Sequence, residues 1–269
     1  MISELKITVA QRLRKSYLQQ AYCTQPFKLA PVGEDKKDPT LYLMIRSSSP
    51  GVLDGDNYQL EINLNENCWL HLQTQSYQRL FRMEKGATQT MVINLAADSF
   101  LHFIPHPIVP HENSVFRSLN RIYMAEGASL IWGEIITCGR KLSGEIFKFT
   151  FLHNLTEVYR NGRIIFKDQL LLTPAKNPLQ TLGQWEQFTH QGTLIYLPKS
   201  ALESSLIDSI HDYLADKINL TGGVSQIAAH GLLIRLLGTS GEQLFQGLQE
   251  ISSLLQTPVI SKAEPVNFY

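Results

Sequence analysis

The chain repeats itself. Ile62-Asn-Leu64-Asn-Glu-Asn-Cys68-Trp-Leu70-His-Leu72, Ile93-Asn-Leu95-Ala-Ala-Asp-Ser99-Phe-Leu101-His-Phe103 and Ile122-Tyr-Met124-Ala-Glu-Gly-Ala128-Ser-Leu130-Ile-Trp132 share one pattern, set 31 and then 29 residues apart. Each unit is an alternating run, a short turn of polar or small residues, and a second alternating run. Period-two alternation gives a strand one buried face. A chain that repeats such a unit can stack its coils, each covering the next, as in a β-solenoid. A Greek-key sandwich of short strands is the competing arrangement. Both make the fold mainly β.

The strand pattern extends through residues 145–151 and on to residues 158–172, where Asn161-Gly162 is a strong hairpin turn. After Pro198 the period changes. Leu202, Leu206, Ile210 and Leu214 recur every fourth residue, as on the buried face of a helix, and Leu244, Leu248, Ile251 and Leu255 mark another. Gly222-Gly223 reads as a break between them. Residues 227–237 are almost wholly apolar and too short to span a membrane, so they belong in the core or under a partner. Ile227, Leu232, Leu233 and Leu236 are therefore candidate docking residues. No low-complexity linker separates the parts. The expectation is one domain over 1–269: strands over about 1–198, a helical part over about 199–256, and a loose tail over 257–269.

Charge excludes more than it identifies. With 24 basic and 24 acidic residues the net charge is zero, so nothing points to nucleic acid. The start, Met1-Ile-Ser-Glu-Leu-Lys, lacks the basic-then-apolar build of a signal peptide. Cys23, Cys68 and Cys138 are odd in number and far apart, which favours a reducing cytoplasm. There is no phosphate-binding glycine loop, no G-x-S-x-G elbow, no H-E-x-x-H and no cysteine pair at zinc spacing.

The candidate chemistry is acidic. Ser49-Pro-Gly-Val-Leu-Asp-Gly-Asp56 is a sharp bend carrying Asp54 and Asp56 between two strands. Glu134 lies within the apolar run Trp132-Gly-Glu134-Ile-Ile-Thr-Cys138, where a carboxylate is costly unless paired or wet. Arg140 can pair with Glu134 or Glu145 through a planar two-bond contact, either as part of a cation channel or as a structural clamp. His102, His106 and His111 form a proline-spaced group whose imidazoles suit nickel, zinc or copper. Pro105 and Pro107 deny them a common helix face.

In order along the chain, these pieces resemble a known family. The 49–56 bend is similar to the proline–glycine–aspartate signature of the urease accessory protein family UreD, also called UreH. Thr74-Gln-Ser76-Tyr-Gln-Arg79 resembles its T-x-S-x-x-K/R segment, and Trp132 to Arg140 with Gly144-Glu145-x-Phe147 resembles its tryptophan–acid–glycine–arginine block. Pro26-Phe27-Lys28 is similar to its early element. The resemblance implies a two-layered β-helix with a few helices near the C-terminus, and no enzymatic activity. It implies a scaffold that acts with UreF and the GTPase UreG on apo-urease and conducts nickel in transit along a polar path. Carried over by motif, the path candidates are Asp56, Ser76, Glu134, Arg140 and Glu145, with Asp168 placed after the following hairpin. The alternatives are a β-rich interaction module and a β-solenoid carbohydrate-cleaving enzyme using Asp54, Asp56 or Glu134.

Overall fold

The structure, a computed structural model, describes residues 2–33, 37–202, 204–227 and 230–260. It is mainly β, with two sheets and two α-helices among the described residues. The central strands are β1 (Ile2–Arg12), β2 (Lys15–Cys23), β3 (Phe27–Pro31), β4 (Leu41–Ser47), β5 (Asn57–Leu64), β6 (Trp69–Thr74), β7 (Gln78–Leu80), β8 (Ala87–Leu95), β9 (Phe100–Phe103), β10 (Ile108–Pro110), β11 (Val115–Met124) and β12 (Ser129–Thr137). They are followed by β13 (Phe151–Arg160), β14 (Arg163–Leu172) and β15 (His190–Leu197). Helix α1 (Ser204–Ala215), β16 (Leu220–Ile227), β17 (Gly231–Gly238) and α2 (Gly241–Ile260) complete the order.

The repeat is the pairing register. In the seven-stranded sheet, ordered β14-β13-β11-β8-β5-β1-β2, Ile62 stands beside Ile93, Ile93 beside Ile122, and Ile122 beside Val158, all in parallel. In the ten-stranded sheet, Leu41, Leu70, Leu101 and Leu130 form a matching parallel row, and Leu197 of the antiparallel β15 continues it. From β5 to β13 the chain passes back and forth between the sheets, with β5, β8, β11 and β13 in one and β6, β9 and β12 in the other. Their inward residues meet in one core that includes Ile62, Leu70, Ile93, Leu101, Ile122 and Leu130. Burial of such side chains is worth about 1.5–3 kcal/mol each, which holds the two layers together.

A second core lies on the other face of the ten-stranded sheet, beneath the helices. There Ile131, Ile135, Leu194, Ile234 and Leu236 meet Ile210 of α1 and Leu244, Leu248, Ile251 and Leu255 of α2. Both predicted helices are present. The span read as helical also holds the β16–β17 hairpin, and Gly222-Gly223 lies inside β16 rather than breaking the chain. The apolar run over 227–237 is mostly strand β17. It is apolar on both faces because it sits between two cores: Leu232, Ile234 and Leu236 face the helices, and Leu233 and Leu237 pack against the inter-sheet core.

Residues 145–150 form a loop rather than the expected strand. Phe147 has a φ of 53°, and the strand begins only at Phe151. Asn161-Gly162 makes the predicted two-residue turn between β13 and β14, with φ of 51° and 74°. Residues 257–260 of the expected tail belong to α2, and 261–269 lie outside the described residues.

Candidate functional site

Between the sheets lies a cavity of about 150 Å³. Its deep end is lined by Ser118, Asn120, Asn154, Trp132 and Glu134, its middle by Tyr58, Gln89 and Met91, and its rim by Ser49, Gly51, Gln75, Ser76 and Tyr77. Alternation explains the polar floor. Phe116, Ser118, Asn120, Ile122 and Met124 are the buried positions of β11, and Leu152, Asn154, Thr156 and Val158 are the buried positions of the same phase in β13, where Glu157 is buried out of phase. Ser118 stands beside Asn154 and Asn120 beside Thr156, so the polar pairs form rows within an otherwise apolar face.

Glu134 meets those rows from the opposite sheet. Trp132 Nε1–H donates to its Oε1 at 2.7 Å and Asn154 Nδ2 to its Oε2 at 2.6 Å. Thr156 Oγ1–H makes a short bond to Oε1, and Asn120 Nδ2 lies 3.4 Å from the same oxygen. Asn120 also donates to Thr156 Oγ1 at 2.9 Å. Among the described residues no cationic side chain pairs with Glu134. Enclosure by protein, reinforced by the nearby charge of Asp168, raises its pKa above the usual carboxylate value despite the bonds from Thr156, Trp132 and Asn154. Glu134 is deeply set, and the surface it keeps faces the cavity.

The other candidates have separate positions. Ser76 is exposed at the cavity rim. Asp56 closes its own turn, accepting the Leu53 N–H at 2.8 Å and the Tyr58 hydroxyl at 3.0 Å. Asp54 accepts the backbone N–H groups of Lys85 and Gly86 at 2.8 and 2.9 Å, tying its turn to the loop before β8. Neither aspartate lines the cavity. At Gly51 a Cβ would collide with the Arg79 carbonyl oxygen, so this bend admits only glycine against β7.

Arg140 and Glu145 pair with each other, with Nε to Oε2 at 2.9 Å and a second, shorter bond from Nη2. Glu145 also accepts the Glu112 N–H at 3.2 Å. The Arg140 guanidinium holds the Glu145 carboxyl below its ordinary pKa. This is the clamp on the loop after β12, away from the cavity. Asp168 accepts from Arg235 Nη2 at 2.6 Å.

The three histidines are not brought together. His102 is buried against His71, with ring centroids 4.1 Å apart, and its Nε2 lies 3.2 Å from Ser252 Oγ on α2. His106 lies 3.1 Å from Thr74 Oγ1 and stacks on Phe245 of α2 at 4.4 Å. His111 packs edge-on against Phe81. Among the described residues no group of three or more His, Cys, Asp or Glu is placed to hold a metal ion. The docking candidates are also interior: Leu232 and Leu236 are fully buried, and Ile227 and Leu233 pack against the inter-sheet core.

Sequence reasoning missed Asn120, Asn154, Thr156 and Trp132 as partners of Glu134. Their signal was present, because polar residues occupy the inward phase of two strands that the repeat places side by side.

Fold and site together define a two-sheet β protein that encloses a mostly apolar-walled cavity, at whose polar floor stands a carboxylate with no cationic partner among the described residues. The sequence matches the family model described as UreD urease accessory protein over residues 2–268. A urease accessory protein UreD from Flavobacterium johnsoniae is 46% identical over 257 residues, covering 95% of this chain and 92% of that one. Those from Acetivibrio thermocellus and Haemophilus influenzae (strain 86-028NP) are 35% and 34% identical over 242 and 255 residues, each covering 90% of this chain and 92% and 94% of their own. The chain belongs to the UreD family of urease accessory proteins, which are not enzymes.

Proposed function

We propose that this protein serves urease maturation as a scaffold for nickel insertion into apo-urease, acting in the cytoplasm with UreF and the GTPase UreG. Nickel is its cargo and passes along the polar interior. The observation that carries the reading is Glu134: a carboxylate inside a cavity, ringed by neutral donors, with no cationic side chain beside it among the described residues. A cavity carboxylate with no cationic partner gives up its proton more readily in exchange for an incoming cation than for the neutral donors around it, so it favours entry of a cation. Oxygen ligands without a fixed nitrogen or sulfur set bind nickel weakly and release it readily, which suits transit over storage.

Within this reading Glu134 lines the path, Ser76 marks its rim and Asp168 lies further along. Asp56, Arg140 and Glu145 support it by shaping turns. The central strands read as a two-layered β-helix, supported by parallel pairing at the spacing of the sequence repeat. The carbohydrate-cleaving alternative needs two carboxylates facing one cleft, and of Asp54, Asp56 and Glu134 only the last lines the cavity.

The test is co-expression of urease with its accessory set and either this chain or its Glu134→Gln variant, reading urease activity, urease nickel content and co-purification. The variant is expected to assemble with its partners and to deliver at least about tenfold less nickel. Full activation by Glu134→Gln would remove the polar path from the proposal.

A further inference from the structure

The polar interior does not stop at Glu134. Along the ten-stranded sheet Glu134 stands beside Thr193 of β15, and Thr193 beside Arg235 of β17. Along the facing sheet Asn120 stands beside Thr156, and Thr156 beside Asp168 of β14. The two rows meet twice. Glu134 bonds Thr156 across the gap at the cavity floor, and Arg235 bonds Asp168 across it nearer the end of the sheets. Beyond that second contact is an open groove of about 700 Å³, lined by Gln169, Leu172, Trp185, Thr221, Gly222 and Arg235. The cavity lining ends at Glu134 and the groove lining begins at Arg235.

We propose that the Asp168–Arg235 ion pair is a gate between the Glu134 chamber and this groove. The proposal rests on the reading of the interior as a cation path. Adjacent strands are about 4.8 Å apart, so Arg235 lies two strand spacings from Glu134 along its sheet. Its positive charge stands where a cation would have to pass, and it occupies the carboxylate that would otherwise receive that cation. The side chain is 44% exposed and borders the groove, so it can swing outward without unpacking the core, whereas Asp168 is only 14% exposed and stays in place. Passage of a divalent cation then requires exchange: the guanidinium leaves Asp168 for the groove and the metal takes its position. Thr156 and Thr193, both buried, supply neutral oxygens between the two carboxylates.

Trp132 reports on the chamber directly, because its indole N–H is bonded to Glu134. In the full chain carrying Trp69→Phe and Trp185→Phe it is the only tryptophan of the three. Quenching of its fluorescence by nickel(II) sulfate is measured in this parent and with Arg235→Gln, Asp168→Asn or Arg121→Gln added, with acrylamide as an uncharged quencher. Arg235→Gln is expected to raise the nickel quenching rate about tenfold, by removing one unit charge from a partly hydrated passage. The acrylamide rate should rise less, and Asp168→Asn should give a smaller nickel increase by freeing the guanidinium. Arg121→Gln breaks an outward ion pair with Glu157 and is expected to change nothing. An unchanged nickel rate in Arg235→Gln overturns the gate and leaves the path standing. An equal rise in Arg121→Gln also overturns it, because general loosening would then be the cause. Nickel that quenches Trp132 in none of these proteins overturns the path and the gate together. If the double replacement fails to fold, the same comparison is read from nickel broadening of the Trp132 fluorine signal in a 5-fluorotryptophan-labelled chain that keeps all three tryptophans.

Discussion

Glu134 shows how one residue takes its meaning from its surroundings. Four side chains from β11, β12 and β13 direct donors at it, yet burial still raises its pKa. The sign follows from proton linkage. Above the unfolded value of a glutamic acid the unfolded chain is ionised, while the folded chain holds its proton to higher pH. Stability therefore falls as pH rises from the unfolded pKa to the raised folded one, by up to about 1.4 kcal/mol per pH unit. Glu134→Gln keeps a polar side chain and removes that loss. The variant should melt higher than the parent at pH 7, with the difference shrinking toward pH 4. A lower melting temperature at pH 7 would mean that the carboxylate contributes to stability and is not a strained functional group. Glu145 is the contrast: an acid held below its ordinary pKa by Arg140, in a contact that fixes a loop.

At the scale of elements, helix α2 is the part whose docking the histidines report. Ser252 Oγ donates to the Gln249 carbonyl, which leaves it to accept from His102 Nε2–H. Nδ1 of His102 then has no partner among the described residues. Burial, with the neighbouring His71, pushes the His102 pKa down to about 3. A histidine kept neutral in the fold contributes stability that is full above its unfolded pKa of about 6.5 and is lost as pH falls below it. Chemical denaturation at pH 7 and pH 5 should show the parent losing stability at the lower pH, and His102→Gln should narrow that gap. Equal gaps in the two proteins would place the acid sensitivity elsewhere. The same helix carries Leu248, fully buried against Gly192 of β15, and Leu248→Ala should cost about 2–5 kcal/mol of unfolding free energy.

The molecule as a whole is two layers with a helical cover on part of one face. Strands β8 and β11 are interior to the seven-stranded sheet, paired on both sides, whereas β2 is at its edge and largely exposed. Local opening therefore costs least at β2 and most at the centre. Amide hydrogen exchange should be fast in β2 and slowest in β8 and β11. Slow exchange in β2 together with fast exchange in β8 would contradict this order of stability.

The sequence by itself determined the strands of the repeat and their inward faces, though not β16, β17 or the loop over 145–150. Period-two alternation decides which side chains are buried, and a repeat at 31 and 29 residues sets the parallel register that puts Ile62, Ile93 and Ile122 side by side. It also carried the family resemblance and placed Glu134 and Ser76 on the list of site residues. Only the tertiary structure decided how those residues relate across the gap between sheets. That gap, about 10 Å in a two-sheet packing, sets which polar side chains of one face reach those of the other. It joined Glu134 to Asn120, Asn154 and Thr156, and Asp168 to Arg235. It sent His102, His106 and His111 to separate contacts, and it enclosed the apolar run of β17 between two cores. Periodicity along a strand fixes which side chains face inward, and contact between layers depends on which strand of one sheet faces which of the other, a relation that no local pattern encodes.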